Sequence, residues 1–510
     1  MEPNQDEKNE IKNEEKKHLE CEKGNLKKDK SNQKEEKKKE KQKEKNIIES
    51  FIGKSYAQIG NELISSHDKI FQNILHTRSI PDEPLKQNTI SYILNYISNM
   101  DSNNGPYHIG IGEREGRIIS SLVHQRNYGL VHGIGRSGNI NDLQPKACGS
   151  SLLVQLTNSL LKNLLHSIGM NFIRDIIILP FATGMALTLS YLTLRLEKPK
   201  AKYIIWSRID QKTCLKCIIT SGFEPIIVNP IPKKKNDYEI ETDIEGINNC
   251  IDKYGPENIL CISSTTSCFA PRCYDNIEEI SKICKEKNIF HVINNAYGIY
   301  CTKIIDMLNK ADKIGEVSLV ISSTDKNFMV PVGGAFIYSF KEKLVQKVKK
   351  NYPGRASIGP LLDLFISFLE MGKNKYKELI KERKEKYKIL IKEMENIANK
   401  YGEKVIAMNG NKISILFTLK NIVEKSGNKD AKEIGSMCFN RQISGVRIIT
   451  SSNGEKKNIG GYDFLNYGSS CDDYKYLPYM TFSCAIGIKN EEIEGFVNKI
   501  DKIIENFIKH

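Results

Sequence analysis

Residues 317–340 read VSLVISSTDKNFMVPVGGAFIYSF: an apolar β-rich run, a polar turn holding Lys326, a Gly-Gly pair, and a second β-rich run. Runs of the same kind recur upstream as DIIIL (175–179), KYIIW (202–206), FEPIIV (223–228), NILCISST (258–265) and IFHVINNA (289–296). Each is short, rich in β-branched or aromatic residues, and separated from the next by a spacer long enough for a helix. That alternation predicts an α/β domain with a largely parallel sheet over roughly 151–345.

Downstream, KNKYKELIKERKEKYKILIKEMENIANKY (373–401) predicts a long helix with one packed and one solvated face. KISILFTL, VRIIT, YMTFSCAIG and an amphipathic helix from Asn490 then predict a smaller α+β domain. At the other end, residues 1–46 are nearly all Lys, Glu, Asn, Gln and Asp, too polar to offset the entropy of ordering, so this arm is predicted to be disordered. IIESFIGKSYAQIGNELISS and TISYILNYISNM carry apolar residues three and four apart, predicting two amphipathic helices suited to oligomer contacts, ahead of a Gly-rich stretch over about 100–150. The expected organisation is therefore a charged arm (1–46), a helical and Gly-rich phosphate-loop region (47–150), a large domain (151–360) and a small C-terminal domain (361–510).

The 510 residues are 39% hydrophobic and carry a formal net charge of +14, enough apolar material for a large core and a field that favours phosphate-bearing partners. Thirteen scattered cysteines fit a reducing compartment rather than a disulfide framework. Cys214 and Cys217 have CxxC spacing, but no second pair completes four ligands, so no metal centre is expected. IIILPFATGMALTLSYLTL (176–194) is long enough to span a membrane, yet Pro180, Gly184 and its hydroxyls predict a buried strand, a turn and a buried helix instead. The opening residues lack the pattern of a secretory signal, which makes the cytoplasm the expected compartment and leaves organellar import open.

Four places suggest chemistry. Lys326 follows an apolar strand beside Asp and Asn; it reads either as an exposed loop lysine or as a Schiff-base lysine, whose amine must shed its proton through partial burial near a cation or cofactor. PFATGMALTLSYL (180–192) ends a strand and opens a helix near Thr183 and Gly184, which is either an ordinary turn capped by Thr183 or a phosphate seat at the helix N-terminus. In FHVINNAYG a buried strand ends at Asn294, the end at which open α/β sheets carry ligands. Many pyridoxal-phosphate enzymes have an aspartate there against the pyridine nitrogen, and an amide would make the cofactor a weaker electron sink, suited to eliminating a good leaving group. Three loops, GEREGR (Glu113, Arg114, Arg117), GRSG with QPK (Arg136, Ser137, Gln144, Lys146) and YPGRAS (Arg355), are individually basic loops and together a candidate pocket for a second phosphate.

MDSNN, GIGEREGR, HGIGRSG, QPKACGSSLL, PFATGMALTL, KAKYIIWSRIDQK, SSTTSCFAPR, VINNAYG, DKNFMVPVGGA and NYPGRAS occur in that order. With these motifs the chain closely resembles the O-phosphoseryl-tRNA(Sec) selenium transferase family from about residue 95 onward. The resemblance implies an aspartate-aminotransferase-like, fold-type I pyridoxal-phosphate enzyme, tetrameric, that uses selenophosphate to convert O-phosphoseryl-tRNA(Sec) to selenocysteinyl-tRNA(Sec). It implies that Lys326 carries the cofactor and that Arg114, Ala182, Thr183, Gln211 and Asn294 contact it. Arg136, Ser137, Gln144 and Arg355 are implied to hold the substrate phosphate, with Glu113 a filter that repels a free α-carboxylate. Lys313, Arg441 and Lys509 stand where the family touches tRNA; Lys313 replaces a usual Arg, keeping charge but losing the bidentate fork, and the extent of the C-terminal contact is left open, since the sequence stops at His510 just after Lys509 whereas some relatives continue. Two other readings stay open: a lyase or transferase of the same fold acting on a free amino acid, and a catalytically idle tRNA-binding protein.

Overall fold

The computed structural model describes residues 47–509, except Ser137 and Lys235, and only the backbone of Asn236 and Asp237; the arm predicted as disordered over 1–46 lies outside the described residues. Internal contacts divide the chain between Asn73 and Ile74, within helix α1 (Lys54–Thr77). On the N-terminal side of that division Phe51, Tyr56, Ile59, Leu63 and Ile64 are exposed.

The second unit opens with α2 (Gln87–Ser98), whose Ile90, Ile93, Leu94 and Ile97 are buried at helical spacing, as its sequence predicts. It packs on α3 (Cys148–Ser167) at Gly149, where a Cβ would stand 1.9 Å from the Ile97 carbonyl oxygen. Backbone cannot yield as a flexible side chain can, so Gly149→Ala is expected to destabilise the protein by at least about 1–3 kcal/mol, read as a lower denaturation midpoint in urea.

The strands β1 (Asp175–Leu179), β2 (Tyr203–Ser207), β3 (Glu224–Val228), β4 (Ile259–Thr265), β5 (Phe290–Asn294), β6 (Leu319–Ser323) and β7 (Ala335–Ser339) form one sheet in the order β1-β7-β6-β5-β4-β2-β3. Four neighbouring pairs are parallel, and β7 alone runs against both of its neighbours. The sheet is thus largely parallel, as the alternating runs predict, and the reversal comes from the quoted 317–340 stretch, where the connection 324–334, with one short helix, returns the chain without a full crossover. The 176–194 segment resolves into β1, a turn and helix α4 (Thr183–Arg195), with the strand and helix largely buried and the turn reaching the surface at Ala182.

The charged helix predicted over 373–401 begins earlier, as α5 (Gly359–Tyr401), with a break at Gly372 (φ 71°, ψ 167°). The segment 81–85 crosses this break: Leu85 N donates to Leu369 O and Lys373 N to Pro81 O, both at 2.9 Å. A Cβ at Gly372 would lie 2.8 Å from the Glu83 carbonyl carbon, so the residue supplies both the left-handed φ and the close approach. The second half of α5 packs with a four-stranded antiparallel sheet, β8 (Val405–Ala407), β9 (Ser414–Thr418), β10 (Arg447–Ile449) and β11 (Tyr479–Ser483), ordered β8-β9-β11-β10. Its core includes Leu390, Met394, Phe417, Met480, Ile500 and Ile504.

Candidate active site

Two clusters of functional side chains form, one at the ends of the parallel strands and one where three loops meet. In the first, β6 ends at Ser323 and a short helix, α6 (Thr324–Phe328), carries Lys326. Its inward residues hold the turn: Thr324 N and Oγ1 both donate to Gly334 O (3.1 and 2.9 Å), and Asn327 Nδ2 donates to Ala296 O (2.8 Å) and Ser323 O (2.7 Å). Phe328 is buried against Phe336, Phe368 and Tyr376, and Met329 closes the helix in the left-handed region at φ 56°. Lys326 itself is exposed, so the partial burial expected for it is not met within this chain: Thr324, Asn327 and Phe328 take the inward directions of so short a helix.

Asn294, the last residue of β5, donates through Nδ2 to Cys214 Sγ at 3.3 Å, while its Oδ1 is buried with no partner. Cys214 lies in the first turn of helix α7 (Lys212–Thr220). Burial pushes its thiol up to about 11, against the opposing pull of the Asn294 hydrogen bond and the positive charges of Arg272 and Lys326. Burial also raises its CxxC partner, Cys217, whose Sγ donates to Cys214 O at 3.1 Å. Gln211 caps α7, its amide oxygen accepting from Thr213 N at 3.1 Å. Helix α4 starts beside it, close enough that a Cβ on Gly184 would meet Thr213 Cγ2 at 2.3 Å. The cap of α4 is Ala182, with Thr183 the first helical residue, so the ordinary Thr183 cap is corrected: alanine has no acceptor, and no side chain caps this N-terminus.

The second cluster lines a cleft of about 510 Å³ that includes Glu113, Arg114, Arg117, His132 and Arg355. The chain joins these distant loops through a reciprocal bridge, Ile134 N to Ala356 O (2.9 Å) and Ala356 N to Ile134 O (3.1 Å). Gly133 makes the approach possible at φ 70°, since a Cβ there would lie 2.4 Å from Ala356 O. Arg355 donates to His132 O and leaves its buried Nε without a partner. Burial, then the charge of Arg114, holds its guanidinium below the ordinary arginine value, an arrangement that an incoming anion relieves.

Not every basic residue of these loops faces the cleft as an anion ligand. Lys146 pairs with buried Glu115 at 2.5 Å, and Arg117 donates to Gly112 O (2.9 Å) and Gly110 O (2.5 Å), so both serve the fold of the Gly-rich loop. Arg136 is exposed and Gln144 half-buried, and neither lines the cleft; Ser137 lies outside the described residues. Sequence reasoning missed Asp101, which is fully buried and accepts from Ser150 N (2.9 Å) and Oγ (2.5 Å), and His132, whose buried Nε2 has no partner. It also missed the buried Arg208, paired with Asp210 (2.8 Å) and Asp472 (2.6 Å), which ties the turn before Gln211 to the chain near 465–472. A local signal existed in each quoted motif, but only the fold reveals these partners.

Burial holds the His132 imidazole below the ordinary histidine range, with Arg355 and Lys146 adding to the effect while Asp101 and Glu115 oppose it. A histidine depressed on folding contributes stability that is complete above the unfolded value and is lost as pH falls through the folded one. The melting temperature is therefore expected to fall as pH drops below about 6.5, and His132→Asn is expected to flatten that part of the profile. Equal slopes in the two proteins would remove His132 from the account.

The three residues expected at RNA have local partners. Lys313, in the last turn of helix α8 (Thr302–Ile314), sits 4.9 Å over the Phe172 ring. Arg441 ends helix α9 (Lys432–Asn440) and its Nη1 donates to Met437 O at 3.4 Å; Lys509, ending helix α10 (Asn490–Lys509), pairs with Glu505 at 2.6 Å.

Comparison with known proteins matches residues 100–505 to the family model of O-phosphoseryl-tRNA(Sec) selenium transferase. The chain is 43% identical to the O-phosphoseryl-tRNA(Sec) selenium transferase of Dictyostelium discoideum, over 89% of this chain and 97% of that protein. Among solved structures, an archaeal O-phosphoseryl-tRNA(Sec) selenium transferase superposes with a TM-score of 0.80 at 30% identity, over 89% of this chain and 98% of the other. A rice enzyme solved with PLP and tryptamine shares the fold alone, with a TM-score of 0.52 at 12% identity over 89% and 98% of the two chains.

Proposed function

The chain belongs to the O-phosphoseryl-tRNA(Sec) selenium transferase family, whose reaction is the final step of selenocysteine formation, and on that premise we propose how its own residues carry out the reaction. The substrate is O-phosphoseryl-tRNA(Sec), the selenium donor selenophosphate, and the cofactor pyridoxal phosphate joined to Lys326. The observation that carries this reading is the cleft in which Arg114 and Arg355 stand together beside Glu113, although Arg355 comes from a loop far along the chain.

The residues near Lys326 suit pyridoxal phosphate. The uncapped start of α4 at Ala182 and Thr183 offers backbone amides to its phosphate, Gln211 closes one side, and the orphaned Oδ1 of Asn294 offers an acceptor to a ring N–H. Arg114 lines the other cleft and is proposed to reach the same cofactor from there. When bound, the cofactor supplies the electron sink that acidifies the Cα–H of the phosphoseryl group. Lys326 Nζ then removes that proton, and the phosphate leaves into the charge of Arg355, with Arg136 proposed as a second cation and Ser137 and Gln144 as neutral donors that reach it when substrate binds. The selenium of selenophosphate adds to the β-carbon, Lys326 returns the proton to Cα, and water cleaves the Se–P bond to release a second phosphate. Glu113 repels the α-carboxylate of a free amino acid; esterification to tRNA removes that charge.

Lys313, Arg441 and Lys509 are the proposed RNA contacts. Exposed pairs such as Lys509 with Glu505 are weak because water screens them, so a phosphate competes readily for the cation. The run of exposed Tyr107, Ile109, Ile111, Ile119 and Leu122 around the cleft loop supports a homo-oligomer, proposed as a tetramer. Residues 151–360 serve as the cofactor domain and 361–510 as the small domain, with 47–150 supplying the phosphate loops. No helix among the described residues is long and apolar enough to cross a membrane, and the proposed place of action is the cytoplasm. The test is conversion of purified phosphoseryl-tRNA(Sec) with selenophosphate, run beside free O-phosphoserine. Selenocysteinyl-tRNA formed from the first and nothing from the second is expected; comparable turnover of the free amino acid overturns the filter and favours a free-amino-acid enzyme.

A further inference from the structure

We propose that Cys214 is a positioning residue: its sulfur holds the Asn294 amide with the oxygen toward the cofactor ring, so that the site selects the protonated ring nitrogen. This inference rests on the cofactor site proposed above and adds to it a residue that touches neither substrate nor reacting atoms.

The Asn294 amide has two chemically opposite ends, a donor and an acceptor. Asn294 closes β5 and is nine-tenths buried, so its orientation is decided by neighbours rather than by water. Nδ2 donates to Cys214 Sγ at 3.3 Å. With that end engaged, Oδ1 is the end left over, and it is buried without any partner. A buried acceptor left unmatched is unfavourable, whereas a ring N–H placed against it satisfies both groups. An unprotonated ring nitrogen offers only a lone pair, which opposes the lone pairs of Oδ1. Were the amide turned over, Nδ2 would face the ring and select the unprotonated form, a poorer electron sink.

The surroundings make the sulfur an acceptor. Arg272 and Lys326 are both close enough to Cys214 for their positive charges to act on it, which favours electron density at Sγ and a donor facing it. Burial nonetheless keeps the group a neutral thiol at working pH, so no thiolate charge competes with the cofactor for Lys326. The elements are also fixed relative to each other: Gln211 caps the helix that bears Cys214, and the neighbouring Asn295 is held by Thr266 Oγ1 (2.7 Å) and Tyr338 Oη (3.0 Å). A thiol thus supplies through an amide the preference for a protonated ring that an aspartate supplies directly.

The experiment uses the full-length holoenzyme reconstituted with pyridoxal phosphate labelled with 15N at the ring nitrogen, read by solid-state NMR. Cys214→Ala removes the acceptor; Cys214→Val removes it while keeping bulk, in case the alanine variant fails to fold. The wild type is expected to show a protonated ring nitrogen, and both variants a resonance displaced toward the unprotonated position. Adding Asn294→Asp, a side chain with no donor end, is expected to restore the protonated signal even without the thiol. An unprotonated wild type, or variants indistinguishable from it, overturns the positioning role. Borohydride reduction of the same samples separates this from failure of the site itself: a cofactor trapped on Lys326 with an unmoved nitrogen sinks only the role of Cys214, whereas a cofactor trapped elsewhere sinks both.

Discussion

Replacing Lys326 with alanine is expected to lower conversion of phosphoseryl-tRNA by about 10⁴-fold or more while leaving tRNA binding intact. The two roles proposed for Lys326, covalent tether for the cofactor and base at Cα, would vanish together, and functions that act as one unit do not lose their effects additively. The fold survives the change because Lys326 is exposed and bears none of the turn's load. Thr324 bonds to Gly334 O, Asn327 to Ala296 O, and Phe328 packs among Phe336, Phe368 and Tyr376 without it. The measurement is single-turnover conversion beside equilibrium tRNA binding and a thermal melt. Turnover retained in a folded, tRNA-binding variant removes Lys326 from the chemistry; lost tRNA binding makes the defect one of assembly.

Arg355→Ala is expected to lower kcat/KM for phosphoseryl-tRNA by about 10²–10³-fold, the scale of losing one charged donor to a developing anion. Stability should move the other way or not at all, which distinguishes a functional arginine from a structural one. The guanidinium is partly buried and feels the charge of Arg114, and both influences act against its own charge, so its removal relieves repulsion even as it deletes the hydrogen bond to His132 O. Arg355→Lys should recover only part of the loss, because an ammonium cannot reproduce the planar fork. An unchanged rate at limiting phosphoseryl-tRNA, with an unchanged melting temperature, shows that the cleft is not the phosphate site.

Much of the architecture was legible before folding because burial leaves a local imprint. A strand covered on both faces must be apolar throughout, and DIIIL, NILCISST and VSLVISST each appear as strands of the large sheet. The charged helix was legible from its periodicity, but its start was not: Gly359 to Gly372 is apolar on more than one face and ends at a glycine whose left-handed φ is demanded by residues 81–85. The site was legible as motifs and illegible as partnerships. Lys146 and Arg117 look like anion ligands from composition, yet Glu115 and two backbone carbonyls claim them. His132 and Cys214 look ordinary in sequence, yet lie in the cleft and beside Asn294.

By itself, then, the sequence determined the elements, the run of Gly- and Arg-rich motifs, and Lys326 at the end of a buried strand. Those properties are carried by residues adjacent or periodic in the chain, where side-chain chemistry and backbone propensity act over a few positions. Tertiary structure alone decided which arginine faces which, which cations are consumed by carboxylates, and which way the Asn294 amide turns. Each depends on groups brought within hydrogen-bonding reach from distant parts of the chain, and a short-range force has no trace in sequence until packing closes the gap.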